Sequence, residues 1–307
     1  MTGPTRETVA VVVVTFNRAD LLARVLDGLA AQTHAPDAVV VVDNASTDHT
    51  RDVLDAATVP GLQRLHLTEN TGGAGGFHTG VAAAHEQGFD RVWVIDDDVV
   101  PAPDCLAVLM AQDEACVTAV REDRSGALVE KAATRFDLAN PLHARPKRSM
   151  VETDFGTRAA MPERVAVENV AFEGFLVRRE VIDRIGLPDP AFFIFYDDCD
   201  YAIRAREAGY TIWAVRDAVL VRQLDFDQQH DLAGWKGYYM YRNLFAVHRR
   251  HGRNALVRLK PWLLALAVVV LSPLRGGRGE ARNVWRAVRD SRDLATLSDV
   301  ARPARPA

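Results

Sequence analysis

Two acidic clusters dominate the chemistry open to this chain. Asp96-Asp97-Asp98 follows the apolar run Val92 to Ile95, and Asp197-Asp198-Cys199-Asp200 follows an aromatic approach, Phe192 to Tyr196. Three adjacent carboxylates repel one another, so holding them together without a cation is costly. Hard oxygen donors suit Mg2+ or Mn2+, and Mg2+ is typically held by one or two carboxylates plus substrate phosphates. In the second cluster, a carboxylate near Phe193, Phe195 and Tyr196 loses solvation. Its pKa rises, as a general base near neutral pH requires. Acids also favour helix N-termini. One capping Asp would suffice at the first cluster, whereas capping stands beside the base reading at the second.

A third feature, Asn70-Thr-Gly-Gly-Ala-Gly-Gly-Phe77, places four glycines within five residues. Such a stretch lets backbone approach a ligand closely, or turns a helix N-terminus toward a phosphate. It has no GxGxxG register and no following Lys-Ser/Thr, which disfavours both a dinucleotide fold and a P-loop.

These groups need elements to position them. Val9 to Thr15 is a continuous β-branched run, expected as a strand buried on both faces. Arg18 to Ala31 shows helical spacing, Ala38 to Asp43 reads as a strand, and Ser46 or Thr47 suits the cap of a helix reaching Ala57. A strand at Leu62 to Leu67 leads into the glycine stretch, helical pattern resumes through His85, and Arg91 to Ile95 forms a fourth strand. The alternation predicts an α/β fold with a mostly parallel central sheet, which binds ligands at the carboxyl ends of its strands. Residues 122 to 166 loosen into polar sequence expected as a mobile flap or acceptor loop. Order returns at Glu168 to Val177, followed by a helix near Arg179 to Ile185, a helix opened by the second acidic cluster and ended near Gly209, and a strand at Thr211 to Val221.

Bulk properties narrow the class. A chain of 307 residues with 48% apolar content supports one substantial core, or a core plus a small appendage. Cys105, Cys116 and Cys199 lack CxxC spacing and read as reduced thiols of a cytosolic protein. Val9 to Val14 is too short for the apolar region of a signal peptide. Charge is uneven: residues 242–292 hold twelve Arg or Lys against Glu280 and Asp290, in a chain of net charge −4. That segment includes the apolar run Pro261 to Leu274, too short to span a bilayer comfortably. Beyond it, Ala281, Val284, Trp285 and Val288 recur near helical spacing, with Arg282, Arg286, Arg289 and Arg292 on other faces. A basic amphipathic helix beside a short apolar one fits a membrane surface; the alternative is a core helix with a solvated basic helix outside it. No recognised nucleic-acid module accompanies the basic charge. The expected organisation is a catalytic unit over residues 1–255 and a basic, apolar helical segment over 256–307.

Taken in order, these pieces resemble the GT-A catalytic domain of family 2 glycosyltransferases from Val9 to His251. Val14-Thr-Phe-Asn-Arg18 resembles the opening nucleotide-binding turn, and Val42-Asp-Asn-Ala-Ser46 the second, whose Asp contacts the base. Ile95-Asp-Asp-Asp98 resembles the metal-binding DxD element, which also engages the donor diphosphate. The glycine stretch closely resembles the NLGG(S/A)GGF loop of actinobacterial galactofuranosyltransferases that build cell-wall galactan. Phe195-Tyr-Asp-Asp-Cys-Asp-Tyr201 with Arg204 resembles their WDDA(D/E)Y…R segment, which maps the base to Asp198. Tyr241-Arg242-Asn243 resembles a later aromatic-x-Arg-Asn element, and related rhamnosyltransferases share much of the pattern. A rival, the haloacid-dehalogenase-like phosphatases, resembles Asp96-x-Asp98-x-Val100 but places its aspartates on the first strand and needs a lysine near the phosphate. An inactive sugar-binding protein would not need both acidic clusters.

The resemblance implies an inverting, metal-using hexosyltransferase, with galactofuranose from UDP-galactofuranose as the donor sugar and dTDP-rhamnose the alternative. It assigns nucleotide-sugar binding to Thr15, Asn17, Arg18, Asp43, Asn70, Gly72, Gly73, Gly75, Gly76, Asp96, Asp97 and Arg222. Asp96 and Asp98 would hold Mg2+ or Mn2+, and Glu173, Tyr196, Asp197 and Trp213 would meet the acceptor. The acceptor would be a lipid-diphosphate-linked or cell-envelope glycan, reached on the inner face of the cell membrane. One departure stands out: where the family usually has a metal-ligating His, this chain has Arg222, with His230 nearby in sequence. A guanidinium at that place suits direct pairing with a diphosphate.

Overall fold

The computed structural model describes residues 6–143, 145–224, 232–272 and 278–303. Its first half alternates as expected: β1 (Val9–Thr15), α1 (Ala19–Ala30), β2 (Ala38–Asp43), α2 (Thr50–Ala56), β3 (Leu62–His66), α3 (Gly72–Glu86) and β4 (Arg91–Asp96). β1 and β2 are buried at every position. Each valine so enclosed contributes about 1.5–3 kcal/mol relative to exposure, which is why an unbroken β-branched run sits between two helical layers. The parallel order β3-β2-β1-β4 brings the carboxyl ends of these strands together, with Thr15 opposite Asp43, Val14 opposite Asp96, and Asp43 opposite His66.

The second half reverses direction. After β5 (Val99–Pro101), α4 (Cys105–Met110) and β6 (Cys116–Glu122), the strand β10 (Phe175–Arg178) runs antiparallel between β4 and β6. β11 (Ile212–Arg222) lies parallel to β6 and antiparallel to β5, so the nine-stranded sheet is mixed, with β3, β2, β1 and β4 as its parallel half. The reversal serves the site. β10 starts at the sheet edge where β4 ends, and the Gly174 N–H donates to the Val94 carbonyl (2.9 Å), which delivers Glu173 beside Asp96. The pairing of Arg222 with Val99 likewise sets Arg222 next to Asp98.

Residues 122–166, expected as a flap, are folded. They form the ribbon β7 (Arg135–Phe136) and β8 (Lys147–Ser149), the short helix α5 (Val151–Phe155) and the edge strand β9 (Arg164–Val167). Of the two readings of the glycine stretch, close backbone approach or a helix N-terminus, the structure has the helix N-terminus. Gly72 to Gly76 form the first turns of α3, and the missing side chains let that helix lie close on its neighbours. A Cβ on Gly76 would sit 2.4 Å from Val14, and one on Gly80 would sit 2.3 Å from Val12. Gly72 has φ +73°, and a Cβ there would fall 2.0 Å from the Phe193 carbonyl oxygen.

After α6 (Arg179–Ile185), α7 (Asp197–Glu207) carries the second acidic cluster in its first turn. Phe77, Phe172, Tyr201 and Phe175 form an edge-to-face chain that locks α7 to α3 and β10. The last layer holds α8 (Trp235–His251), α9 (Ala255–Leu271) and α10 (Arg278–Asp290), joined by a cluster of Phe245, Ala265, Val284, Ala287 and Val288. This helical layer begins with α8, which supplies one wall of the cluster. Of the residues grouped at helical spacing on α10, Val284 and Val288 are buried and Trp285 is exposed.

Candidate functional site

The three aspartates of the first cluster close the turn between β4 and β5, and no helix starts there. Helix capping therefore does not account for them. Arg18, at the start of α1, donates to Asp97 Oδ1 (2.8 Å) and reaches Asp98 Oδ2 (3.4 Å). Burial, reinforced by Asp97, Asp98 and Glu173, pushes the Asp96 carboxyl well above the carboxylate range. Asp98 Oδ1 is buried with no hydrogen-bond partner among the described residues. Among those residues no group of three or more His, Cys, Asp or Glu side chains is set to hold a metal ion by itself. Two hard carboxylates, one with an orphaned oxygen, still fit Mg2+ or Mn2+ whose remaining ligands are substrate phosphates and water.

Beside them runs a line of alternating charge. Glu130 grips Arg121 through two hydrogen bonds (3.0 and 2.9 Å), Arg121 pairs with Glu173, and Glu173 lies 3.7 Å from Arg222. Burial opposes ionisation of Glu173, yet the Arg121 and Arg222 guanidiniums hold its carboxyl below the usual range. Arg222 also presents positive charge to Asp98. Position 222 thus brings a guanidinium close to Asp98. His230 lies outside the described residues.

The other end of the site is Asp198. Burial raises its pKa to about 6, with the Cys199 N–H and Lys147 working in the opposite direction. The carboxyl of its neighbour Asp197 is driven well up by burial and by Asp198. Asp200 differs: it is fully buried and receives Arg204 Nε (2.9 Å), Arg250 Nη1 (2.7 Å) and His251 Nε2 (2.9 Å). It is a structural anchor of α7. The approach to this helix is strained, with Phe193, Phe195 and Tyr196 at φ +65°, +66° and +67°. Left-handed backbone costs a residue with a side chain about 1–2 kcal/mol.

A cavity of about 630 Å³ joins the two ends, within the range of small-ligand sites. Of the candidate site residues, Arg18, Gly73, Asp96, Asp98, Glu173, Asp197, Asp198 and Arg222 line it. Other expected residues stand around it. Thr15 and Asp43 are buried at adjoining strand ends, where Asp43 accepts from the Ser46 N–H (2.9 Å) and pairs with His66 (3.0 Å). Asn17 binds the Thr47 N–H (2.7 Å) and so stitches the first two turns together. Asn70 caps the Gly72 N–H (2.8 Å), and Asp97 meets the cavity only through Arg18. Gly72, Gly75 and Gly76 are packing glycines, so only Gly73 of the four faces the cavity.

Of the residues expected to meet the acceptor, Glu173 and Asp197 line the cavity, and Trp213 and Tyr196 do not. Trp213 lies away from the cavity on β11, under the Arg164 guanidinium (5.1 Å) and against the opposite core. Tyr196 packs against Ala74, Phe192 and Cys199 instead of lining the cavity. Glu173 does line it, but its carboxylate is engaged by two arginines. Sequence reasoning also missed Arg121, Lys131, Lys147, Asn169 and Lys236 in the lining. A signal existed: the chain has only four lysines, and three of them are here.

Comparison with known proteins agrees with this geometry. The family model described as "Glycosyltransferase like family 2" matches residues 4–254. Galactofuranosyltransferase GlfT1 of Mycobacterium tuberculosis is 31% identical over 271 residues, covering 84% of this chain and 87% of the relative. The protein of the same name from Mycolicibacterium smegmatis is 29% identical over 238 residues, covering 76% and 77%. Among solved structures, mannosyltransferase PcManGT from Pyrobaculum calidifontis, in complex with GDP-Man and Mn2+, is similar in fold. Its TM-score is 0.56 at 21% identity, covering 95% of this chain and 86% of that one.

Proposed function

Since the chain belongs to glycosyltransferase family 2 and is a hexosyltransferase, we propose that it transfers galactofuranose from UDP-galactofuranose, with inversion, to a lipid-linked or cell-envelope glycan. The observation that carries the mechanism is the single cavity that exposes Asp96 and Asp98 at one end and buried Asp198 at the other. The relatives of the same name at about 30% identity support the donor choice.

In this reading an acceptor hydroxyl attacks the anomeric carbon while the bond to the nucleoside diphosphate breaks. The diphosphate leaves with the bonding pair, and Asp198 takes the hydroxyl proton. Arg18, Asp43 and the turn around Thr15 and Asn17 hold the nucleotide end. Arg222 lies across from Asp98, where it meets diphosphate oxygens. Asp96 and Asp98 would hold Mg2+ or Mn2+, which supplies positive charge against the leaving group. Lys131, Lys147 and Lys236 add cations around the acceptor side.

The outer face of the helical layer supports a membrane location. Leu256, Leu259, Leu263, Leu266 and Val270 recur at helical spacing along α9, each more than half exposed, and Trp285 with Arg282, Arg286 and Arg289 is exposed on α10. No helix among the described residues is long and apolar enough to cross a membrane. An apolar stripe edged by arginines fits the headgroup region of an anionic bilayer, here the cytoplasmic leaflet. Residues 1–255 then form the catalytic unit, and 256–307 the part that meets the lipid.

The deciding experiment is turnover on a panel of UDP-galactofuranose, UDP-galactopyranose and dTDP-rhamnose with Mg2+ or Mn2+. Selective use of UDP-galactofuranose is expected; selective use of dTDP-rhamnose would move the enzyme to the rhamnosyltransferase branch.

A further inference from the structure

The strained residues just before the base have an unusual support. Asn243 in α8 is fully buried, and its side-chain amide donates to the carbonyls of Phe192 (2.9 Å), Ile194 (2.7 Å) and Phe195 (2.9 Å). Arg242, its neighbour, donates to the carbonyls of Ala191 and Phe192, both at 2.8 Å, while its guanidinium lies 4.7 Å over the Tyr239 ring. Tyr239 in turn stacks on Phe193, with centroids 4.9 Å apart. From the opposite side the Ala74 N–H donates to the Phe193 carbonyl (3.1 Å), which is where Gly72 leaves room for it.

Five consecutive carbonyls, Ala191 to Phe195, are thus fixed from α8 and α3, in the segment that ends two residues before Asp197 and three before Asp198. Regular secondary structure cannot satisfy these carbonyls, because left-handed residues break the ladder. A segment held this tightly in an unfavourable conformation marks a place where position matters to function. We propose that Asn243, assisted by Arg242, is the positioning residue for the base: it holds the left-handed approach to α7 and thereby fixes the Asp198 carboxylate against the acceptor hydroxyl. This rests on the reading of Asp198 as base. Asn243 itself touches no reactant, and the donor-binding turns at the ends of β1 and β2 lie on other elements.

The test compares Asn243→Ala, Arg242→Met and Asp198→Asn in the full chain, with turnover on the preferred donor and UDP binding in the presence of Mn2+ as readouts. Loss of the amide should cut kcat by about 100-fold, the scale of a misplacement of about 1 Å, with the UDP Kd unchanged. Arg242→Met should give a smaller fall of about tenfold, also in kcat alone, and carries the comparison by itself if Asn243→Ala does not fold. Wild-type kcat in both α8 variants beside an inactive Asp198→Asn overturns this inference alone. So does a UDP affinity that falls in step with kcat, the mark of general loosening. Full activity in Asp198→Asn overturns the base assignment and this inference with it.

Discussion

At the scale of single residues, the proposed base Asp198 is expected to set the pH behaviour. A base must be ionised to accept a proton, and burial raises this carboxyl to about 6, so kcat/KM should climb as pH rises through about 6. The charges that act on it are Asp197 beside it in α7, Lys147 from β8, Glu173 before β10 and Arg121 from β6. Lys147 favours the ionised form. Lys147→Met should therefore move the acid limb to higher pH, and an unmoved limb in a pH-rate profile would place the lysine elsewhere. Asp198→Asn should lower kcat by at least about 100-fold while UDP still binds, measured by turnover and calorimetry. Arg222→His should lower the Mn2+ concentration needed for half-maximal turnover, because an imidazole can ligate where a guanidinium cannot. The aspartates were legible because clustered carboxylates need an explanation. The lysines were not, since no local pattern links positions 131, 147 and 236 before the chain is folded.

At the scale of elements, long buried strands were legible and short ones were not. β1 and β2 are runs of β-branched residues, and the sequence reading placed them to within a residue. β10 has four residues, too few to carry a sign of direction, and its antiparallel course depends on pairing with β4 and β6. The glycine stretch left loop and helix N-terminus undecided, because glycine is a poor helix former. Close contact with Val12, Val14 and the Phe193 carbonyl overrode that propensity. Gly72→Ala should then be sharply destabilising in thermal melts, since both its φ of +73° and the 2.0 Å approach oppose a Cβ. The network that seats α7 makes a second claim. Burial opposes charge on Asp200, but Arg204, His251 and Arg250 hold its carboxyl far below the usual range. Its contribution is present above the ordinary carboxylate pKa and is lost only in stronger acid. Asp200→Ala would strand the buried Arg204 and Arg250 and should cost about 3–5 kcal/mol in denaturant unfolding.

At the scale of the whole molecule, the catalytic sheet and the helical layer meet at α8. Its start is held by Asn283 of α10, which donates to the carbonyls of Leu232, Ala233 and Gly234 at 3.1, 3.0 and 2.9 Å. Its middle braces the base segment through Arg242 and Asn243. Its end reaches Asp189 and Asp200 through Arg250. The charge clustering of residues 242–292 suggests a surface-seeking segment, but not that its first helix also lines the candidate site through Lys236. That coupling needs contacts between residues about fifty positions apart, which no sequence window contains. Replacing Leu259, Leu263 and Leu266 by Glu should leave the melting temperature nearly unchanged and abolish co-sedimentation with anionic vesicles. Retained sedimentation would remove α9 as the lipid-facing helix.

Gly73 gives the cavity an adjustable wall. It lines the cavity, sits in the first turn of α3, and an added Cβ would meet nothing within 4 Å, in contrast to its neighbours Gly72, Gly75 and Gly76. A library confined to this codon would send side chains of graded size into the chamber without disturbing the scaffold. Alanine there should even firm the helix by about 0.5–1 kcal/mol. For anyone wishing to retune such a catalyst toward bulkier or slimmer donors, it is the natural first address.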